Sequence, residues 1–207
     1  MYEKEFKYSQ EWYSEVYHKK GDYHLPERTW ADVQGEWDAK GHHERFMTFL
    51  ERWGYNLNGK KCIDIGCHHA KSMAWALRKY ARINWFSGFD FSRTAIEWCK
   101  KQFPDKYKGV VTFTQGNVSA LDRTYARNSF DVSFCIDMIE HLPEDVYLKM
   151  VEGIKVITKP GGKIVCQVGK TDQPEHIHII PDMQVISDFN LSCSYQDHEY
   201  FVMDMPE

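Results

Sequence analysis

Hydrophobic and polar positions follow two regimes along the chain, and the change falls near Lys61. Before it, Phe6, Tyr13, Val16 and Tyr17 lie near helical spacing, so Glu3 to Lys19 reads as an amphipathic helix ended by Gly21. Irregular chain around Leu25-Pro26 is expected next, then a second helix from about His42 to Trp53. After Lys61, short apolar runs alternate with helical stretches, the pattern of βαβ units and a parallel sheet. Strands are expected at Cys62–Ile65, Asn84–Phe89, Val110–Thr114, Asp131–Ile136 and Lys163–Val168, with helices at about Ala70–Tyr80, Arg93–Phe103 and Glu144–Ile157. In the last of these, Tyr147, Val151, Ile154 and Ile157 recur at three and four, giving one face for the sheet between Pro143 before it and Pro160-Gly161-Gly162 after it. A short helix, Asp182–Phe189, and two strands, Leu191–Tyr195 and Tyr200–Met203, come last; strands so close pair only as an antiparallel hairpin. The expected fold class is therefore α/β, a doubly wound and mostly parallel sheet with an antiparallel C-terminal hairpin.

Composition narrows the class without changing it. With 207 residues, 43% of them hydrophobic and 27% charged, the chain fits one globular domain with an appendage. The division falls between an aromatic-rich extension, residues 1–57, and a main domain, residues 58–207. Trp12, Trp30, Trp37 and Trp53 all lie in the extension, which is expected either to cover the pocket as a lid or to pack a helix against the sheet. No run approaches the roughly 18 apolar residues of a membrane span, and the start lacks the apolar core of a secretory signal, so a cytoplasmic protein is expected. Six cysteines at scattered positions form no C-x-x-C pair, which reads as buried free thiols. A net charge of -4, with only a short cluster at Lys100, Lys101, Lys106 and Lys108, argues against nucleic acid as a partner.

The chemistry concentrates where strands end. Cys62-Ile63-Asp64-Ile65-Gly66-Cys67 is an apolar strand that runs into an acidic residue and a glycine turn before a helix, where a backbone approaches a ligand closely and helix N–H groups are open. The next strand ends in Gly88-Phe89-Asp90-Phe91-Ser92, with an acidic residue at about the separation expected for one that holds a ribose diol. Asp90 could instead cap the following helix, but Ser92 is available for that role.

These motifs, in this order, resemble class I, Rossmann-like S-adenosylmethionine-dependent methyltransferases, over about Lys60 to Met205. Cys62 to Cys67 is similar to that family's first motif and Gly88 to Ser92 to its ribose-binding second motif. Gly116-Asn117-Val118 is similar to the adenine-contacting loop, Ser129 to Leu142 to the fourth strand and its loop, and Lys159-Pro160-Gly161-Gly162 to the turn before the fifth strand. The resemblance implies a seven-stranded sheet, S-adenosylmethionine as cofactor, and cofactor contacts from Asp64, Gly66, Cys67, His68, Asp90, Phe91, Asn117, Val118 and Asp137. Two departures stand out: His68-His69-Ala70 replaces further glycines of the first motif, and Asn117 replaces an aspartate. Histidine tolerates positive φ, so the turn can survive with the His68 ring either directed at the methionyl carboxylate or turned outward over the next helix.

Methyl transfer is an in-line displacement governed by positioning, and an acceptor that must lose a proton gains from a base. His141, after the fourth strand, and His176, in the loop after the fifth, are the candidates; His141 could equally brace its loop. His176 and His178 share one face of an extended chain and could pair on a metal with Glu140, but no other ligand has suggestive spacing, so none is expected. The acceptor is expected to be a small molecule or small polar group. A nicotinamide reductase is disfavoured by the lack of G-x-G-x-x-G and Tyr-x-x-x-Lys, and DNA methyltransferases by the lack of adjacent prolines and of Pro-Cys. The remaining rival is a binding or regulatory protein that keeps the fold and the cofactor without turnover.

Overall fold

The computed structural model describes residues 27–39, 41–169, 181–197 and 199–207. Helices α1 (Trp30–Ala39) and α2 (His42–Trp53) precede β1 (Lys61–Ile65), α3 (Lys71–Lys79), β2 (Trp85–Asp90), α4 (Arg93–Gln102) and β3 (Val111–Gln115). Then come the one-turn α5 (Leu121–Thr124), β4 (Phe130–Ile136), α6 (Glu144–Ile157), β5 (Thr158–Gln167), α7 (Asp182–Phe189), β6 (Ser192–Gln196) and β7 (Tyr200–Asp204). The helix expected over Glu3 to Lys19 lies outside the described residues.

Short apolar strands buried on both faces must be central and parallel, and β1 and β4 are: all of β1 after Lys61 is buried, as is β4 except Asp131. The seven strands run in the order β3-β2-β1-β4-β5-β7-β6. The first five are mutually parallel, while β7 lies antiparallel between β5 and β6. Strand order therefore reverses between β1 and β4, which opens a crevice at their C-terminal ends. Two apolar layers flank the sheet. One gathers α2, α3 and α4 through Phe46, Leu50, Trp75 and Trp98; the other gathers α6 and α7 through Tyr147, Ile154 and Phe189. α3 is buried nearly all round because α2 covers the side it turns from the sheet.

Three features of the fold have local causes. The irregular chain expected around Leu25-Pro26 lies outside the described residues, and the sequence reading places no helix between it and His42, where α1 forms: Thr29 Oγ1 accepts from Asp32 N at 3.3 Å and Asp32 Oδ2 accepts from Thr29 N at 2.8 Å, a reciprocal cap that starts the helix. Trp30 then stacks on Trp98 at 5.8 Å and fixes α1 to α4. Strand β5 begins at Thr158, so Lys159-Pro160-Gly161-Gly162 lies inside the ladder. The register against β4 shifts between Phe130 and Val132, and Gly161 takes φ 66 to absorb the irregularity. Finally, the latter part of the extension belongs to the core: Phe46, Phe49, Leu50 and Leu57 are each no more than 1% exposed.

Candidate active site

Three of the five parallel strands deliver an acidic residue to the crevice. Asp64 sits one residue before the end of β1, Asp90 ends β2, and Asp137 follows β4. Between the first two lies the turn Gly66 to Ala70. Gly66 N and Cys67 N both donate to Phe89 O, at 2.8 and 3.0 Å, so the turn is stitched to β2. Gly66 has φ 75, and a Cβ there would stand 2.2 Å from Met138 Cγ, so glycine is required by conformation and by space. His68 at φ 49 and Ala70 at φ 60 keep the left-handed conformation without glycine. Single residues of this kind cost on the order of 1–2 kcal/mol and persist where the surroundings fix them.

Asp90 supplies that fixing. Its Oδ2 accepts from His68 N and its Oδ1 from Ser92 N, each at 2.8 Å, while Ser92 Oγ caps α4 by accepting from Ala95 N. Burial pushes the Asp90 carboxyl up to about 6, against the backbone donors that pull it down. With Ser92, His68 and Phe91 as backbone donors, the carboxyl still has acceptor capacity for an external hydroxyl. The His68 ring turns neither to the crevice alone nor outward: its Nδ1 lies 2.7 Å from Nδ1 of the fully buried His69, so one of the two donates and the other accepts. Cys99 Sγ donates to His68 O at 3.2 Å, and Cys67 is buried beside Cys99, where desolvation raises its thiol far above the ordinary range.

Asp64 is 2% exposed, and burial pushes its carboxyl up to about 8 despite Lys71, so it is neutral at pH 7. Asn117 and Val118 begin the loop after β3, tied to β2 by Gly116 N donating to Asp90 O at 3.0 Å. Asn117 Oδ1 accepts from both Ser119 N (2.9 Å) and Ser119 Oγ (2.8 Å), which fills its two lone pairs and leaves its amide N–H groups to meet a base. Phe91 lies between these elements, partly buried.

The far wall is charged. Asp137, at φ 56, donates its N to Gln167 O at 3.0 Å and sits 3.9 Å from Lys71 Nζ. Burial pushes its carboxyl up, but Lys71, a hydrogen bond with Glu140, and the nearby His141 and His42 together hold it below the ordinary range. Glu140 is fully buried, accepts from Gly169 N at 2.6 Å, and is raised by burial and by the charge on Asp137. Burial and the charge on Asp137 thus favour the protonated form of Glu140, while Asp137 is held toward its ionised form. His141 closes the one-turn helix Ile139–His141 and is partly exposed. His176 lies outside the described residues, as does His178. His42, at the start of α2, is the residue that sequence reading missed; its only local signal was the doublet His42-His43 at the opening of a helix. Among the described residues no group of three His, Cys, Asp or Glu is placed to hold a metal ion.

A parallel sheet reversing between β1 and β4, with carboxylates gathered at the reversal, defines a Rossmann-like α/β protein with the strand order of methyltransferases. Residues 62–162 match the family model described as a methyltransferase domain. That match covers 101 of the 207 residues, so the chain is similar to methyltransferase domains over just under half of its length. It is 29% identical over 119 residues to a demethylmenaquinone methyltransferase of Halalkalibacterium halodurans, covering 56% of this chain and 45% of that one. It is 24% identical over 147 residues to a ubiquinone biosynthesis O-methyltransferase of Pasteurella multocida, covering 66% and 58%. The chain spans about half the length of the curated relatives it matches. A solved protein of Pyrococcus horikoshii shares the fold with a TM-score of 0.66 at 15% identity, over 92% of this chain and 98% of that one.

Proposed function

We propose that the protein transfers the methyl group of S-adenosylmethionine to a hydroxyl of a small cyclic acceptor. The carrying observation is the Asp90 carboxylate, which fixes the Gly66–Ala70 turn through His68 N and retains acceptor capacity at the end of β2. The residues fit the cofactor: Asp90 would take the ribose diol, and Asp64, Gly66, Cys67 and His68 would line the methionyl portion. Phe91, Asn117 and Val118 would meet the adenine, and Asp137 the ammonium end. Bound there, the cofactor supplies an electrophilic methyl on a cationic sulfur. His141, beside the ionised Asp137, takes the acceptor's proton, and Asp137 stabilises the imidazolium that results. The named activities of the curated relatives, on demethylmenaquinone and in ubiquinone biosynthesis, support a small ring-bearing acceptor.

Net charge -4 supports a small-molecule partner over nucleic acid. No described helix is long and apolar enough to cross a membrane. Six free thiols, five of them buried, support a reducing, cytoplasmic setting.

Calorimetry with S-adenosylhomocysteine and turnover over a panel of phenols and catechols tests the proposal; tight cofactor binding without methyl transfer to any of them would favour the binding-protein alternative. His141→Asn is expected to lower kcat by roughly 10²-fold or more and to remove the acid limb of the kcat profile, with cofactor affinity unchanged. An unaltered profile would assign His141 to bracing its loop. His68→Gly is expected to weaken cofactor binding by about 10-fold, since the ring that pairs with buried His69 and holds the turn beside the cofactor is lost. Equal binding by His68→Gly would show the histidine to be a tolerated replacement.

A further inference from the structure

Helix α3 begins at Lys71, directly after the Gly66–Ala70 turn, while Asp137 follows β4, the strand that pairs with β1 at the reversal of the sheet. The two side chains meet across that reversal, with Lys71 Nζ 3.9 Å from Asp137 Oδ2. Only 15% of the lysine side chain and 35% of the aspartate side chain is exposed. A charge-assisted N–H···O bond closes at about 2.7–2.9 Å, so these two atoms attract without a direct bond. An ammonium has three donors and a carboxylate about four acceptor sites, so each group can engage a third one while keeping the partners it has.

The surrounding charges set what that third group is. Burial holds the Asp64 and Glu140 carboxyls toward their neutral forms, so neither cancels the lysine. Asp137 is held toward its ionised form. The N-terminus of α3 adds partial positive charge beside Lys71, and Ala70 at its head brings no side-chain cap. The His68 ring, which could otherwise have met an anion here, is turned to His69. One cation and one anion so placed are the inverse of an α-amino acid, whose ammonium and carboxylate share a single carbon.

We propose that Lys71 is a further cofactor-binding residue, which holds the α-carboxylate of the methionyl moiety while Asp137 holds its α-ammonium, and that this pair selects a zwitterionic amino-acid end over a purely cationic one. This rests on the methyl-transfer reading of the same site. Binding exchanges one loose ion pair for two shorter ones, in a crevice where charges interact more strongly than in water. Without Lys71, the carboxylate of the ligand would stand beside Asp137 uncompensated, and the two anions would repel. The consequence for the reaction is positional. With the ribose fixed at Asp90 and the far end of the methionyl chain fixed at Lys71 and Asp137, the sulfur between them has a defined place, and so does the methyl group it carries.

Calorimetry on the whole chain with three probes tests this: S-adenosylmethionine, its decarboxylated form, which keeps the ammonium and the sulfonium, and 5′-methylthioadenosine, which lacks the amino-acid end altogether. The wild type should bind S-adenosylmethionine about 10- to 100-fold more tightly than the decarboxylated form, the range that one charge-assisted hydrogen bond implies. Lys71→Met should remove most of that difference by weakening S-adenosylmethionine alone, and Lys71→Arg should keep most of it. Methylthioadenosine should bind all three proteins alike, which also shows that the variants are folded. Equal affinity of the wild type for the two charged probes, a difference that survives in Lys71→Met, or equal weakening of both probes by that substitution would overturn the proposal while leaving the nucleoside site in place. A wild type that binds neither S-adenosylmethionine nor methylthioadenosine would instead remove the methyl-transfer reading, and this inference with it.

Discussion

Replacing Asp90 by Asn is expected to weaken S-adenosylhomocysteine binding by at least 10²-fold, although the side chain barely changes in size. Two effects add. The carboxylate would hold the ribose hydroxyls by charge-assisted bonds worth about 1.5–3 kcal/mol each, and the amide loses the charge. In addition, both carboxylate oxygens already receive backbone N–H groups, from His68 and from Ser92. Whichever oxygen becomes NH2 then faces a donor with a donor, and the His68–Ala70 turn loses its anchor. Because burial places the Asp90 carboxyl at about 6, wild-type affinity should also fall as pH drops below that value. Titration calorimetry at pH 7.5 and 5.5 measures both effects; an Asn variant that binds as wild type does would remove Asp90 from the site.

The second large effect is on stability. Asp64→Asn is expected to raise the unfolding midpoint at pH 9 and to flatten its decline between pH 6 and pH 9. In the folded chain, burial lifts the Asp64 carboxyl from 3.8 to about 8, with Lys71 pulling it back and Asp90 adding to the rise. Between those two values the native state holds a proton that the unfolded state has lost, so stability declines as pH rises through the window and the penalty is complete above about 8. The elevation corresponds to an upper bound of roughly 6 kcal/mol at alkaline pH, at about 1.4 kcal/mol per unit. Glu140 is raised in the same direction and keeps part of the slope in the variant. Asp131 and Asp137 are lowered, so their contributions are lost only at acid pH, outside the window. Chemical denaturation at several pH values decides it, and an unchanged slope in Asp64→Asn would mean that the carboxyl is ionised in the native state.

Much of the architecture was legible because it rests on local chemistry. The α6 and α7 boundaries follow from proline at the N-terminal side and from apolar positions at three and four, both of which are written in adjacent residues. The hairpin follows from two strands too close to cross over. Helix α1 was legible in principle, since Thr29-x-x-Asp32 is a capping pattern, but it carries no strong apolar period and is held by Trp30 on Trp98, a contact 68 positions away in sequence. The start of β5 was not legible, because proline and two glycines signal a turn locally while the ladder against β4 admits them only through a shift in register.

For the site, the sequence by itself determined that acidic residues stand at or beside the ends of three strands, Asp64 in β1, Asp90 in β2 and Asp137 after β4. It also determined that His68 must tolerate positive φ, which the backbone confirms at 49°. Only the tertiary structure decided the protonation pattern. Asp64 and Asp137 are both aspartates after apolar strands, yet burial raises the first while Lys71, Glu140 and two histidines hold the second down. Likewise only the packing of Phe46 on Phe134 brings His42 from the start of α2 to the end of β4, across 95 positions of chain. Electrostatic environment and long-range approach depend on what lies nearby in space, and a motif records only what lies nearby along the chain.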